Sequence, residues 1–376
     1  MPSRIGRRTR TSARKAEAIV AVAGLAAGST LAPGAPAGSA TTTRDSLRGV
    51  ACISPTACFA VGGADSVSSR SARTVIERWN GQRWSKVASP NPTGATTSYL
   101  FGISCVSATS CFAVGNTGSY GARMLKSLVE RWNGKTWSIV KTPNAGPLTS
   151  VSCISATACF AAGTNFLRWN HQAWSTVTNA TGYAVSMSCA SATSCMAVGD
   201  SGATRWNGKA WSTVPTPKPG NPVFEGFGLS GVSCTSSANC VAVGDDAVPL
   251  DNFTPLSERW NGKTWSKLPT PDPTPAGYFN AVSCTSTTNC FAVGDVNPND
   301  FRAFVERWDG TTWSAVAIPS FGAGESWLAS VSCSRATSCF AVGYLDRPYF
   351  NDEHVLVERW DGNAWTVVNA TGSGTS

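Results

Sequence analysis

The sequence predicts an all-β fold, a seven-bladed β-propeller of four-stranded antiparallel blades, each with a Cys-x5-Cys disulfide hairpin. Two repeated phrases and their period support this prediction. One phrase is a pair of cysteines followed by a short apolar stretch that ends in glycine, as in SCVSATSCFAVG at 104–115. The other contains two tryptophans, as in LVERWNGKTWSIV at 128–140. The first cysteines of successive repeats lie 36 to 53 residues apart, a period typical of propellers and solenoids.

Each repeat carries four strand signals. The stretches that flank the cysteine pair are short and rich in β-branched or aromatic residues, and the five residues between the cysteines suit a tight turn. The third and fourth strands meet across Asn-Gly or Asp-Gly, the strongest short hairpin signal, in which both residues are expected at positive φ. The third repeat has His171 in place of this glycine, so we expect a strained turn or a turn of another type there.

The first 40 residues indicate a secretory signal peptide. Six basic residues precede the apolar stretch AEAIVAVAGLAAG, and small residues suited to cleavage follow, with Ala40 as the preferred site. Arg7 and Arg8 leave twin-arginine export open as an alternative to the general route. The predicted organisation is a signal peptide at 1–40, a propeller at 41–370 and a disordered tail at 371–376. The blades are predicted to begin near residues 47, 100, 148, 184, 229, 279 and 328.

The charge after residue 40 excludes a nucleic-acid partner. The whole chain carries +8, but residues 41–376 hold 24 basic and 21 acidic residues, a net charge of +3, which is no electrostatic footprint for nucleic acid. No later segment reaches the roughly 20 apolar residues that a transmembrane helix needs. We therefore expect a secreted monomer without a transmembrane segment, either released or associated with the cell wall.

All 14 cysteines lie in the repeated phrase. An even number at fixed spacing in an exported chain predicts a disulfide framework. Zinc is the alternative, but zinc sites favour closer cysteine pairs, often with histidine, and this chain has two histidines, His171 and His354. The predicted disulfide-forming cysteines are Cys52, Cys58, Cys105, Cys111, Cys153, Cys159, Cys189, Cys195, Cys234, Cys240, Cys284, Cys290, Cys333 and Cys339.

Fourteen of the 15 tryptophans occupy the two fixed positions of the second phrase. Sugar stacking by each of them is one interpretation. Packing between blades is expected instead, because every repeat has these tryptophans and every repeat must pack against its neighbours. Arginine precedes the first tryptophan in all seven repeats, from Arg78 to Arg359, and glutamate precedes this arginine in five of them. We expect a structural Glu/Arg ladder, stacked on tryptophan.

At these residues the chain resembles the kelch-type propellers of secreted bacterial proteins. In that pattern an apolar strand ends in Gly-Gly, an aromatic residue follows in the third strand, and a tryptophan comes six residues later. Val61-Gly62-Gly63, Trp79 and Trp84 are similar to it, with a spacing of five. The Gly-x-x-Trp of each hairpin is similar to the Asp-box turn of sialidase-like propellers, although Trp stands at the aspartate position. The resemblance covers 47–370 as a repeat scheme, implies a propeller and carries over no catalytic residue.

One face of the predicted propeller varies between repeats. Strands that alternate in direction place the first and third turns of each blade on one face and the other connections on the opposite face, here called the loop face. The turns keep one length, whereas 4 to 15 residues separate the glycine of the second strand from the arginine of the third. Because divergent loops usually carry binding, the loop face is the expected functional face.

The loop face is predicted to be uneven in charge. Arg70, Arg73, Arg123 and Lys126 lie in the loops of blades one and two, whereas acidic residues interleaved with aromatic ones lie in blades five to seven. Aromatic rings beside carboxylates suit carbohydrate, since rings stack on sugar faces and carboxylates accept hydrogen bonds from sugar hydroxyl groups. The candidate ligand-binding residues are Trp327, Tyr349, Phe350, Asp346, Asp300 and Asp246.

Several functions stay open at this point. A binding module for extracellular glycan or a surface protein is favoured, and no catalytic residue, metal ligand or cofactor is assigned. The segment DVNPND at 295–300 offers oxygen ligands for Ca²⁺ but lacks the glycine and spacing of a known calcium loop. A carbohydrate-active enzyme would use two carboxylates of the same face as acid and base or nucleophile. A structural surface protein without a small ligand is the third alternative.

Overall fold

The computed structural model describes residues 43–66, 68–177, 182–217, 227–248, 252–270, 277–296, 301–320, 325–347 and 352–368. The described residues contain 28 strands, four in each repeat. The predicted signal peptide at 1–40 and tail at 371–376 lie outside them.

The first two repeats form one eight-stranded sheet. Its strands are β1 (Thr43–Ser54), β2 (Ala57–Ser66), β3 (Ser71–Trp79), β4 (Trp84–Val87), β5 (Thr97–Ser107), β6 (Ser110–Gly118), β7 (Lys126–Trp132) and β8 (Trp137–Ile139).

The other five repeats each form a four-stranded antiparallel sheet. The third repeat contains β9 (Leu148–Ser155), β10 (Ala158–Gly163), β11 (Leu167–Trp169) and β12 (Trp174–Thr176). The fourth contains β13 (Ser186–Ser191), β14 (Ser194–Gly199), β15 (Gly202–Trp206) and β16 (Trp211–Val214). The fifth contains β17 (Phe227–Ser236), β18 (Asn239–Val248), β19 (Asn252–Trp260) and β20 (Trp265–Leu268). The sixth contains β21 (Gly277–Ser286), β22 (Asn289–Val296), β23 (Arg302–Trp308) and β24 (Trp313–Val316). The seventh contains β25 (Glu325–Arg335), β26 (Ser338–Arg347), β27 (Asp352–Trp360) and β28 (Trp365–Val367).

The prediction of seven separate four-stranded blades is therefore wrong. Five four-stranded blades are present, and the strands of the first two repeats belong to one sheet because Ala72 of β3 pairs in parallel with Thr97 of β5. The Ala72 amide also donates to the Thr96 carbonyl at 3.0 Å. The all-β architecture with antiparallel four-strand repeats and disulfide hairpins is as predicted.

The seven predicted disulfides are present, and the described residues hold no free cysteine. In each repeat the two cysteines are direct partners in the register of the first and second strands, as for Cys52 and Cys58. Each disulfide therefore joins the first strand to the second next to their shared turn.

The first strands of the repeats pack side by side around a ring, and β25 of the last repeat packs against β1 of the first. A ladder of serine hydroxyls follows this ring. The backbone amide of the first cysteine donates to the serine that precedes the first cysteine of the previous repeat, as from Cys153 to Ser104 at 3.0 Å. The same bond, from Cys52 to Ser332 at 3.0 Å, closes the ring. The serines of this ladder are Ser104, Ser152, Ser188, Ser233, Ser283 and Ser332.

Ser332→Ala is expected to lower the free energy of unfolding by about 1 kcal/mol, because it removes one hydrogen bond and leaves the Cys52 amide without its acceptor. Ala51 occupies the same position in the first repeat, so Ala51→Ser supplies an acceptor and should be neutral or stabilising. Chemical denaturation of the oxidised protein measures both. A Ser332→Ala protein as stable as the wild type contradicts the closing role of this bond.

The paired tryptophans pack between repeats, as predicted. The Phe340 ring lies between Trp79 and Trp84 of the first repeat, with ring centroids 5.2 and 5.3 Å away. Phe59, Phe112, Phe160 and Phe291 each contact the tryptophan pair of the next repeat in the same way. The predicted arginine stacking is also present, as where the Arg359 guanidinium lies 5.7 Å from the Trp79 ring centroid.

The glutamates that precede these arginines are buried, since adjacent strand residues point to opposite faces of a sheet. Glu77, Glu130, Glu258, Glu306 and Glu358 are at most 1% exposed. Glu130 accepts a hydrogen bond from the Ser89 hydroxyl at 3.0 Å. Burial, partly offset by hydrogen bonds to Ser89 and Thr74, raises the pKa of Glu130 to about 8. The glutamates of the expected Glu/Arg ladder therefore sit in the packed interior.

The tryptophan hairpins differ from the predicted turn. Four residues connect the paired Trp79 and Trp84, and the Asn80 side chain accepts hydrogen bonds from the Gln82 and Arg83 amides at 3.0 Å. Only the glycine takes a positive φ, 98° at Gly81. The asparagine therefore acts through its side chain, and the expectation of positive φ at both residues is wrong.

His171→Gly is expected to stabilise the protein by about 1 kcal/mol, because His171 has a φ of 83°, which disfavours any residue with a Cβ. The strain predicted for this turn is thus present. Gly134→His, at the equivalent position of the second repeat with φ 96°, is the reciprocal variant and should destabilise by a similar amount. Thermal denaturation of both proteins checks this, and shifts of the same sign contradict it.

Candidate functional site

The turns of each repeat gather on one face. A Cβ on Gly81, in the tryptophan hairpin, would lie 3.1 Å from Thr56, in the turn of the disulfide hairpin. The same contact recurs between Gly134 and Thr109. This face, here called the cysteine face, therefore carries both invariant turns, and the opposite strand ends form the loop face.

The first strands line a central channel with a cavity of about 370 Å³. In six of these strands the residue four before the first cysteine has no partner in the register, because a β-bulge occurs there. Bulges redirect side chains and are common next to functional sites. The bulged residues all line the channel and are Arg48, Phe101, Thr149, Ser230, Asn280 and Ala329.

An aromatic cluster lies at the loop-face end of the channel, in the sixth and seventh repeats. Its centre is Trp327 of β25, whose ring stacks on Tyr344 with centroids 6.0 Å apart and planes at 12°. Tyr278 meets Trp327 edge to face at 5.7 Å, and Phe301 lies 6.0 Å away. All four rings are partly exposed. A half-open aromatic surface of this kind suits the apolar face of a ligand.

Three aspartates occupy equivalent positions, and two of them, Asp295 and Asp245, act on Tyr278 of the cluster. Asp200, Asp245 and Asp295 each follow the glycine of the second strand, in repeats four, five and six. Asp295 is fully buried and accepts a hydrogen bond from Asn280 Nδ2 at 2.9 Å. Burial, offset in part by hydrogen bonds from Tyr278 and Asn280, raises its pKa to about 6. Asn280 also donates to the Leu328 carbonyl at 2.9 Å, which ties the aspartate to the neighbouring repeat.

Asp200 and Asp245 both approach Gly228. Their Oδ1 atoms lie 3.6 and 3.8 Å from the position that a Cβ on Gly228 would occupy. Burial, together with the negative charges of Asp200 and Asp246, raises the pKa of Asp245 to about 6. A carboxyl group with such a pKa can hold or release a proton near neutral pH.

The structure brings few of the predicted site residues together. Trp327 is the centre of the aromatic cluster, as described. Asp246 instead forms an ion pair with Lys267 of the outermost strand, with Oδ2 to Nζ at 2.9 Å. The backbone of Asp346 lies in β26 opposite Glu325. Asp300, Tyr349 and Phe350 lie outside the described residues.

Sequence reasoning missed Tyr278, Asn280 and Asp200 as site residues. An alignment of the repeats on their first cysteine would have pointed to Tyr278, because the position six residues before that cysteine varies widely between repeats. It holds Ser46, Tyr99, Pro147, Tyr183, Gly228, Tyr278 and Trp327.

The described part of the chain holds neither a cluster of metal ligands nor a helix able to cross a membrane. No group of three or more His, Cys, Asp and Glu side chains there is arranged to hold a metal ion. The proposed calcium segment at 295–300 lies mostly outside that part and stays a prediction. No helix there is long and apolar enough to cross a membrane.

Solved structures of low sequence identity share the fold. One is YCF48 bound to a D1 peptide, with 12% identity, a TM-score of 0.54 and coverage of 85% of this chain and 94% of that one. The fold is a β-propeller. A GH74 xyloglucanase from Xanthomonas campestris gives 12% identity and a TM-score of 0.57 over 88% of this propeller and 55% of the enzyme. A protein of unknown function from Dyadobacter fermentans has 10% sequence identity and a TM-score of 0.53, with coverage of 85% of this chain and 95% of that one.

This propeller spans about half the length of the xyloglucanase. No protein-family model and no curated protein matches the sequence. The likeness at these identities concerns the fold alone.

Proposed function

We propose that this protein is an extracellular propeller that binds glycan at its loop face. The observation that carries the proposal is the partly exposed cluster around Trp327, with the partly exposed Asp245 near its Tyr278. It is built from positions at which the repeats differ, whereas the cysteine face repeats one turn chemistry throughout. Aromatic faces and carboxylates together suit a sugar ring, which has apolar C–H faces and hydroxyl donors at its edge.

The disulfides support an extracellular location. Disulfides persist in oxidising compartments and are rare in the cytosol. Each of the seven Cys-x5-Cys hairpins carries one. The basic and apolar leader at 1–40 agrees with export. The kelch-like and Asp-box-like hairpin pattern fits a propeller and does not itself select a ligand. The named neighbours include a peptide-bound protein and a xyloglucanase, so fold likeness leaves the choice to the site.

A glycan array with the oxidised protein tests the proposal. Trp327→Ala should lose at least tenfold in affinity for the bound glycan, because it removes the central ring of the cluster. Tyr183→Ala is the matched control, since Tyr183 lies six residues before the first cysteine of the fourth repeat, as Trp327 does in the seventh, and is 46% exposed. Retained binding by Trp327→Ala, or a blank array, overturns the proposal.

A glycoside hydrolase is the second candidate, favoured by Asp200 and Asp245. Both carboxylates approach Gly228, and the raised pKa of Asp245 suits a general acid. Release of reducing ends from polysaccharide should then be lost in Asp245→Asn. Asp361→Asn on the cysteine face is the control, since asparagine already fills that turn position in five repeats. Glycan binding without turnover removes this candidate.

A further inference from the structure

Arg48 is the cation at the mouth of the channel. It is the bulged residue of β1, it is exposed, and it lines the channel cavity. Its guanidinium lies 5.7 Å from the ring centroid of Tyr99 and 5.4 Å from that of Phe101, and these two rings stack on each other. Stacking on aromatic rings orients a guanidinium without using its N–H donors. Arg48 forms no ion pair among the described residues, so its donors stay available.

Further cations lie in the third strands of the first two repeats and in the loops that join the second strands to them. They come from the first two repeats, are exposed, and form no ion pair within the described ranges. The nearby acids are occupied, since Asp45 pairs with Lys86 and Asp65 accepts a hydrogen bond from the Tyr99 hydroxyl. The five exposed cations of this sector therefore outnumber its acids, of which Asp65 lacks a cation partner among the ion pairs of the described residues. We call this set the basic rim, and its members are Arg48, Arg70, Arg73, Arg123 and Lys126.

Apolar side chains accompany the basic rim. Met124 and Tyr120 are 84% and 62% exposed, in the loop that joins β6 and β7. The Tyr120 amide donates to the Thr96 hydroxyl at 2.6 Å, which anchors this loop beside β5. Burial, the hydrogen bond to Asp65 and the negative charge of Asp65 raise the pKa of Tyr99, and the nearby Arg48 guanidinium opposes them in part. The rim thus offers charge-assisted donors next to apolar surface.

The aspartates that approach Gly228 belong to other repeats than the basic rim. Asp200 and Asp245 belong to repeats four and five and form no ion pair with a rim cation. A ligand with anionic groups is therefore attracted to one sector of the loop face and repelled from the other. A neutral glycan would gain nothing from this separation.

We propose that the glycan bound at the loop face is acidic, and that the basic rim, with Arg48 at the channel mouth, binds its carboxylate, sulfate or phosphate groups. This inference rests on the proposed glycan-binding function and names its ligand class. Charge-assisted hydrogen bonds from a guanidinium to an oxyanion provide the affinity. The uncompensated carboxylates across the channel orient the chain by excluding its anions from that side.

The test compares dextran with dextran sulfate, which share a backbone, and adds polygalacturonate as a carboxylated polymer. Binding of dextran sulfate, dextran and polygalacturonate to the oxidised protein is measured at low and high ionic strength. We expect binding of one or both anionic polymers, no binding of dextran, and weakening by salt. Preference for the sulfated or the carboxylated polymer identifies the anionic group. Equal binding of dextran and dextran sulfate overturns the inference.

Variants separate this inference from the proposed function. Arg48→Ala should weaken binding of the anionic polymer at least tenfold, and Arg48→Lys should recover part of it. Arg83→Ala, which removes an exposed cation of the cysteine face, is the control and should leave binding unchanged. If Trp327→Ala abolishes glycan binding while Arg48→Ala has no effect, the proposed function stands and this inference fails. If no glycan binds, both fail.

An acidic peptide is the competing occupant. Poly-glutamate serves as the probe, titrated into the wild type and Arg48→Ala proteins under the same conditions. Binding tighter than that of the anionic glycans, with the same dependence on Arg48, overturns the assignment of a glycan to the basic rim.

Discussion

Reduction of the seven disulfides is expected to unfold the protein at temperatures at which the oxidised form is folded. Each bond spans a sequence separation of 6, and closing so short a loop contributes at most about 2 kcal/mol in the chain-entropy model. Seven such contributions are comparable with the whole stability of a domain, about 5–15 kcal/mol. A single four-stranded repeat cannot bury both of its faces and depends on its neighbours. Unfolding of one reduced repeat should therefore destabilise the repeats packed against it.

Thermal denaturation with and without a strong reductant measures this effect, with mass spectrometry of alkylated protein to verify complete reduction. The pair Cys189→Ser and Cys195→Ser removes one disulfide and should lower the stability by about 2 kcal/mol or less. A melting temperature that does not change after complete reduction contradicts the role assigned to the hairpins.

Stability is expected to fall as the pH rises from about 5 to 8. Burial is the main cause that raises the pKa values of four interior glutamates, to about 8 for Glu130 and Glu358 and about 7 for Glu258 and Glu306. In the unfolded chain these carboxyls ionise near pH 4.5. Between those values the folded state binds more protons, so raising the pH favours unfolding.

Urea denaturation at pH 5 and pH 8 measures this dependence. Each glutamate that is protonated only in the folded state contributes about 1.4 kcal/mol per pH unit within its window. Glu306→Gln removes one such group and should flatten the dependence between pH 5 and 7 while keeping the shape of the side chain. Asp245 and Asp295, with pKa values raised to about 6, act in the same direction. Stability that is constant or rises with pH contradicts the buried, protonated state of these glutamates.

The repeated positions were the predictable part of the fold. Cys52 and Cys58 recur with one spacing in every repeat, and Trp79 and Trp84 recur with another, so their shared roles follow from repetition itself. The pairing of Ala72 with Thr97 was not predictable in this way. It depends on the path of the chain between β4 and β5 and involves residues outside the repeated phrases. This one parallel contact joins two repeats into a sheet and makes the predicted set of seven separate blades wrong.

The candidate site was less predictable than the fold. Trp327 stood out because it is the tryptophan outside the repeat. Asp246 was chosen as a loop acid, but neighbouring strand residues point to opposite faces, so Asp245 lies at the site and Asp246 faces Lys267. Tyr278 and Asn280 contribute because a β-bulge between Phe279 and Ala281 re-aims the strand at the channel mouth. Such a bulge has no signal in one sequence.

The most direct test of the loop-face assignment is hydroxyl-radical footprinting of the oxidised protein, with and without the array glycan that binds most tightly. The bound glycan is expected to protect Trp327 and Tyr278 from oxidation. The cysteine-face turns around Thr56 and Thr109 should react equally in both states. Protection of the cysteine-face turns, or a saturated complex in which Trp327 oxidises as fast as in the free protein, would contradict a binding site on the loop face.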